Sequence, residues 1–256
     1  MKNTFKKLFI SFTVLSLTAC GSTTMQDNTF AAKENKDFTK YTNQLVVEYA
    51  ENDYTTMHQF FEHPEDYGID INNVDVSLGE FYTDNTEEIK EDQKELNKFN
   101  RSTLDKTQQT IYDELKYENE LNLKAENKKF QYLNNCWSTM SGLHQSLISV
   151  FSEYILRSEK DIQDLITLIN DVPRYTNDVL EYTKKQADKN TLQFDYDSVT
   201  QDIQDVIDNK ENSSITSALY NAIDALNLDE EKTTSYKAQV KDAMDTSFFP
   251  SYQAIH

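Results

Sequence analysis

Glycine and proline are scarce, with four of the first and three of the second in 256 residues. Sandwiches, propellers and dinucleotide-binding folds depend on glycine-rich turns. Those architectures are excluded, and helices joined by polar turns are expected. Basic residues are also few, with 25 Lys and Arg against 44 Asp and Glu and a net charge of −19. Phosphate backbones and anionic headgroups repel such a surface, so nucleic acid is excluded as a partner. No apolar run reaches the ~20 residues needed to cross a bilayer. Cysteine occurs only at Cys20 and Cys136. Strong acidity often accompanies disorder, but 14 Phe and 15 Tyr supply the apolar surface for a core.

The N-terminus places Lys2, Lys6 and Lys7 before a short apolar run from Leu8 to Leu17, which closes on Leu17-Thr18-Ala19-Cys20-Gly21. A basic segment, a short apolar segment and small residues before a cysteine form the pattern of a bacterial lipoprotein precursor. Residues 1–19 are therefore expected to be a signal peptide and Cys20 a lipidated N-terminus. Its removal leaves a net charge of −22. Two acyl chains anchor durably where one is marginal. Membrane lipid is thus the partner expected at Cys20, and the extracytoplasmic face of the cell membrane the location. Residues 20–36 are polar and read as a flexible tether. Residues 37–256 form the body, in which Cys136 has no partner for an internal disulfide. Neither a base nor an orienting group for a catalytic thiol is apparent.

The body reads as an all-α, irregular multi-helix bundle of about eight helices, with at most one short strand or hairpin. Phe38, Tyr41, Leu45, Tyr49, Tyr54, Met57 and Phe61 recur at helical spacing and predict a first helix over 37–61. His63 to Gly68 is turn chemistry, and Val74, Val76 and Leu78 alternate briefly as a strand or extended loop. A helix over 86–100 follows. Asp105 with Gln108 then predicts a capping box opening a helix that faces Ile111, Leu115 and Tyr112 inward. Residues 130–142 are irregular and include Trp137, and 143–156 read as a buried helix. Ser158 with Asp161 opens the next helix. A break is expected at Asn170–Pro173, with Pro173 starting another helix to Lys189. Further helices are expected over 198–209, 214–226 and 230–249, the last capped by Asp229.

Candidate sites are few. His58 and His63 are five residues apart beside Glu62 and Glu65, a spacing that does not align two side chains on one helical face. A helix-end histidine bonded to a carbonyl is the better reading. Asp195, Asp197, Asp202 and Asp205 lack the glycine and the terminal glutamate of a calcium loop and read as a solvated surface. No catalytic residue, metal site or cofactor is expected.

Several segments together resemble a bacterial family of unassigned role, domain of unknown function 885, many of whose members are lipoproteins. The residues are Thr55-Thr56-Met57-His58, His63-Pro64-Glu65-Asp66-Tyr67-Gly68-Ile69, Thr107 to Leu115, Glu153 to Ile162, Asp171-Val172-Pro173-Arg174-Tyr175 and Phe249-Pro250-Ser251-Tyr252. Full-length members look like zinc metallopeptidases of about twice this length, with a His-Glu pair and a Pro-Gly-His in the C-terminal half. No His-Glu dipeptide occurs here. The resemblance implies a non-catalytic relative matching the N-terminal half. Its alternatives are one half of a split peptidase completed by a partner chain, or a lipoprotein that binds a peptide or protein. It also offers His58, Tyr112, Tyr154 and Tyr175 as groove residues, against the reading of period-matched aromatics as core. The family's Leu-Pro near Leu143 is here Leu143-His144, and its glycine after Lys189 is Asn190, which suggests a relaxed groove wall.

Overall fold

The computed structural model describes residues 33–256. The signal-peptide and Cys20 expectations, and most of the tether, lie outside the described residues. The architecture is all-α, with no strand among the described residues. The helices are α1 (Lys36–Asn52), α2 (Tyr54–Phe60), α3 (Thr86–Leu96), α4 (Lys106–Ala125), α5 (Leu143–Ser152), α6 (Glu159–Asp188), α7 (Tyr196–Asp208), α8 (Ser214–Ala225), α9 (Glu230–Ala243) and α10 (Phe249–Ile255). A π-helical turn, Met244–Phe248, joins the last two with helical backbone throughout. Residues 74–79 are an extended loop.

The described chain divides into two compact units. The first comprises residues 33–52, Tyr67–Ile69 and Thr83–Gln131. Its core is Phe38, Leu45, Leu96, Leu104, Tyr112 and Leu115, with Tyr41, Phe99 and Ile111 packed against them. Phe38 meets Phe99 edge-on at 5.1 Å between ring centres. The capping box of α4 forms as expected, from Asp105 and Gln108. Gln108 also accepts from the Asn35 amide and donates to the Asn35 carbonyl, which fixes the start of α1.

The second unit comprises Asp53–Asp66, Asp70–Tyr82 and Tyr132–His256, and is built on α6. Ile162, Leu165, Leu168, Ile169, Val172 and Val179 form its buried stripe, against which α9, the π turn and α10 pack. The irregular segment before α5 is tied to α6 by side chains. Trp137 Nε1 donates to Thr183 Oγ1 at 2.8 Å, and Gln186 Nε2 donates to the Tyr132 and Asn134 carbonyls. Arg174 grips Asp171 through two bonds of 2.6 Å and donates to the Gly79 carbonyl, holding the loop at 74–79.

Three expectations need correction. The helix over 37–61 is broken at Asp53, whose extended backbone and side-chain bond to the Thr56 amide cap α2 instead. Short acidic side chains offer the backbone this alternative to helix continuation. Conversely, α6 runs through Pro173 without a break. Proline there removes the bond to the Ile169 carbonyl, a cost of about 3 kcal/mol. The apolar stripe is continuous on both sides, however, and Pro173 lies on the exposed face. Burial therefore outweighs the lost bond. The helix predicted over 143–156 stops at Ser152, and residues 154–157 carry no regular secondary structure.

Asn190 has φ +58° directly after the Lys189 cap, and Thr191 donates its amide back to the Gln186 carbonyl at 2.9 Å. Asparagine is the non-glycine residue that best tolerates this left-handed position. Asn190 thus supplies the left-handed turn that closes α6.

Candidate functional site

Within the second unit, α2 and the non-helical segment after α5 flank a pocket of about 250 Å³. Thr55, His58 and Gln59 line it from α2, while Ser149, Val150 and Glu153 line it from the last turn of α5. Tyr154 and Ile155 complete the wall.

His58 is buried and bonded to its neighbours. Nε2 donates to the Ile155 carbonyl at 2.6 Å, and Nδ1 stands 3.8 Å from Asp161 Oδ1. The ring lies nearly parallel to Tyr154, 4.4 Å between centres, and to Tyr54 at 5.6 Å. Arg157 donates to the His58 carbonyl at 3.0 Å. Burial lowers the His58 pKa below the usual histidine value, against the opposing pull of the Ile155 carbonyl and Asp161.

Behind this ring, Tyr54 donates its hydroxyl to the buried carboxylate of Asp164 at 2.6 Å, and Lys160 donates to the same oxygen at 2.5 Å. The Tyr54 and Tyr154 hydroxyls are 3.2 Å apart. Burial, then the neighbouring phenol and carboxylate, push the Tyr54 pKa far up, so this phenol stays protonated. The bonds within this cluster therefore hold α2, the segment after α5 and the start of α6 together.

The segment at 154–157 is less fully bonded. Among the described residues the main-chain N–H groups of Tyr154, Ile155 and Leu156 donate no hydrogen bond. The Ile155 side chain is 42 % exposed. A short non-helical strip with unbonded main-chain amides thus borders the pocket.

Of the four groove residues expected from the resemblance, the structure brings His58 and Tyr154 together. Tyr112 is in the core of the first unit, on the apolar face of α4. Tyr175 belongs to the second unit but packs edge-on to Phe81 at 6.2 Å, away from the pocket lining. Residue patterns missed Tyr54, Asp164 and Glu153, since pairing across about a hundred residues leaves no local signal. Asp195 caps α7, accepting from Ser198. Cys136 is buried, and burial pushes its thiol up to about 12, so it is protonated at neutral pH.

A second buried histidine lies at the amino end of α5. His144 is fully enclosed, with Nε2 3.5 Å from Asp202 Oδ2 and its ring nearly parallel to Trp137. Burial lowers its pKa despite Asp202. Among the described residues no three His, Cys, Asp or Glu side chains converge to hold a metal ion.

The model of a family described as bacterial protein of unknown function (DUF885) matches residues 72–256. The chain belongs to that family. The DUF885 match contains α5, Glu153, Tyr154, Asp161 and Asp164, whereas α2 with His58 precedes it. The resembling segments at 55–58 and 63–69 also fall outside the matched span. No curated protein matches the chain, and neither does any solved structure.

Proposed function

We propose that this DUF885 member is a lipid-anchored extracytoplasmic protein that binds peptide rather than cleaving it. The observation that carries the reading is the non-helical strip at 154–157 beside the pocket, three of whose amides make no hydrogen bond among the described residues. Its amides at Tyr154, Ile155 and Leu156 are available to pair with an extended ligand backbone. Main-chain bonds of this kind would give a bound peptide affinity, and the adjoining pocket would give it specificity. A non-catalytic role is supported by the engagement of the titratable groups. His58 donates to a carbonyl, and Asp164 accepts from both Tyr54 and Lys160. The anchor is supported by the sequence leading to Cys20.

The test is thermal unfolding of the full-length chain across a peptide library. A ligand that binds only the folded state at a hundred times its Kd adds about 2.7 kcal/mol of stability. At least one peptide class should raise the midpoint, and a flat response across the library contradicts the reading. Separately, Cys20→Ala should abolish fatty-acid labelling and release the chain from the membrane fraction. Persistent labelling would refute the anchor.

A further inference from the structure

The chain has three arginines, at 101, 157 and 174, and two of them are held by carboxylates. Arg101 grips Asp113 with two nitrogens, and Arg174 grips Asp171 in the same way. Arg157 is the exception. Among the described residues it forms no ion pair, although the chain carries 44 acidic side chains. The acids that follow it in sequence are engaged elsewhere. Asp161 accepts from the Arg157 and Ser158 main-chain amides and closes the capping box of α6. Glu159 accepts from Lys232 and Tyr236.

Arg157 is exposed but not loose. Its Nη1 donates to the carbonyl of His58, a residue of the pocket wall, at 3.0 Å. Its Nε and Nη2 donate no hydrogen bond among the described residues. The charge acts on both the His58 and Tyr154 side chains, the two rings of the pocket lining. Immediately before it, the amides of Tyr154, Ile155 and Leu156 also lack acceptors. Part of a charged planar fork and three main-chain donors thus stand without acceptors over four consecutive residues. A carboxylate is the planar acceptor that such a fork matches best, and it brings the charge that Arg157 lacks. Glu153, at the other end of the stretch and at the carboxyl end of α5, repels an anion. The carboxylate therefore belongs at the Arg157 end.

We infer that Arg157 receives the terminal α-carboxylate of a bound peptide, whose last side chain enters the pocket against Val150, Ile155 and the Tyr154 ring. The inference rests on the peptide-binding reading and adds that the ligand is recognised by its free carboxyl end. A chain terminus fits better than an acidic side chain. Its carboxylate continues the line of main-chain carbonyls that pair with the strip, whereas side chains of an extended peptide project away from that line. Capture of a terminal carboxylate by main-chain amides is a recurring mode of peptide recognition. A charge-assisted bond to Arg157 is about twice as strong as a neutral one.

The test uses the full-length chain and three peptides: acetyl-Ala-Ala-Ala-Ala-Leu as the free acid, the same peptide as its amide, and acetyl-Ala-Ala-Ala-Glu-Leu-amide. Binding is read by calorimetry and by the main-chain amide signals of Ile155 and Leu156. The free acid should bind at least tenfold more tightly than either amide and shift both signals. Arg157→Gln should abolish that preference while leaving the binding of the amides unchanged, and Arg157→Lys should restore part of it. Raising the salt from 50 to 500 mM should weaken only the free acid in the unaltered chain, which keeps the test decisive if the variants do not fold. Equal binding of acid and amide, with the same shifts, overturns the carboxylate site but leaves peptide binding standing. So does a glutamate peptide that matches the free acid, or a preference that survives Arg157→Gln. If no peptide shifts the Ile155 and Leu156 signals, both readings fall.

Discussion

Tyr54 and Asp164 are 110 positions apart in sequence and 2.6 Å apart in space. Replacing Tyr54 with Phe removes one donor from a buried carboxylate, and a hydrogen bond to a charged group contributes about 1.5–3 kcal/mol. Urea unfolding of Tyr54→Phe should show a loss of that size. His58 and His144 make the fold acid-sensitive. Both have folded-state pKa values lowered by burial. On unfolding they regain ordinary imidazole behaviour near pH 6.5 and take up protons the folded state refuses. Their contribution is therefore complete above about pH 6.5 and is lost as the pH falls below it. The urea midpoint should drop between pH 7.5 and pH 5.5, and an unchanged midpoint would contradict the burial argument. At this scale the sequence was partly readable. A histidine near a helix end suggested a carbonyl partner, but not that the carbonyl would be Ile155, 97 residues away.

Helix beginnings were the most legible elements, because a cap is a contact between residues three apart. Asp105, Ser158 and Asp229 all cap as their local patterns indicate. Continuity was harder to judge, since it depends on burial contributed by distant partners. Asp53 interrupts an apolar period that looked unbroken, while Pro173 fails to interrupt one that looked finished. Replacing Pro173 with Ala restores an amide for the Ile169 carbonyl at a modest cost in unfolded-chain entropy. The variant should be more stable by about 1–2 kcal/mol in urea unfolding, and a destabilised Pro173→Ala would show that α6 depends on the ring. At the other end of α6, Asn190 is left-handed. Asn190→Gly should hold stability, whereas Asn190→Val should lower it by about 1–2 kcal/mol, since a β-branched side chain crowds that backbone.

At the scale of the whole molecule, the scarcity of glycine and proline made the all-α class legible, and the acidity made nucleic acid an implausible partner. The division into two units was not legible, because the units interleave along the chain and no linker marks them. The pocket was hidden for a related reason. Its walls come from α2, the end of α5 and the strip after it, and the family match covers only part of that set.

Whether a peptide lies along that strip can be read residue by residue from amide hydrogen exchange, with the full-length chain saturated by a peptide that raises its unfolding midpoint. The account predicts that exchange slows at Ile155 or Leu156, with little change in the first unit. Unchanged exchange across 154–157, with protection appearing elsewhere, would contradict it.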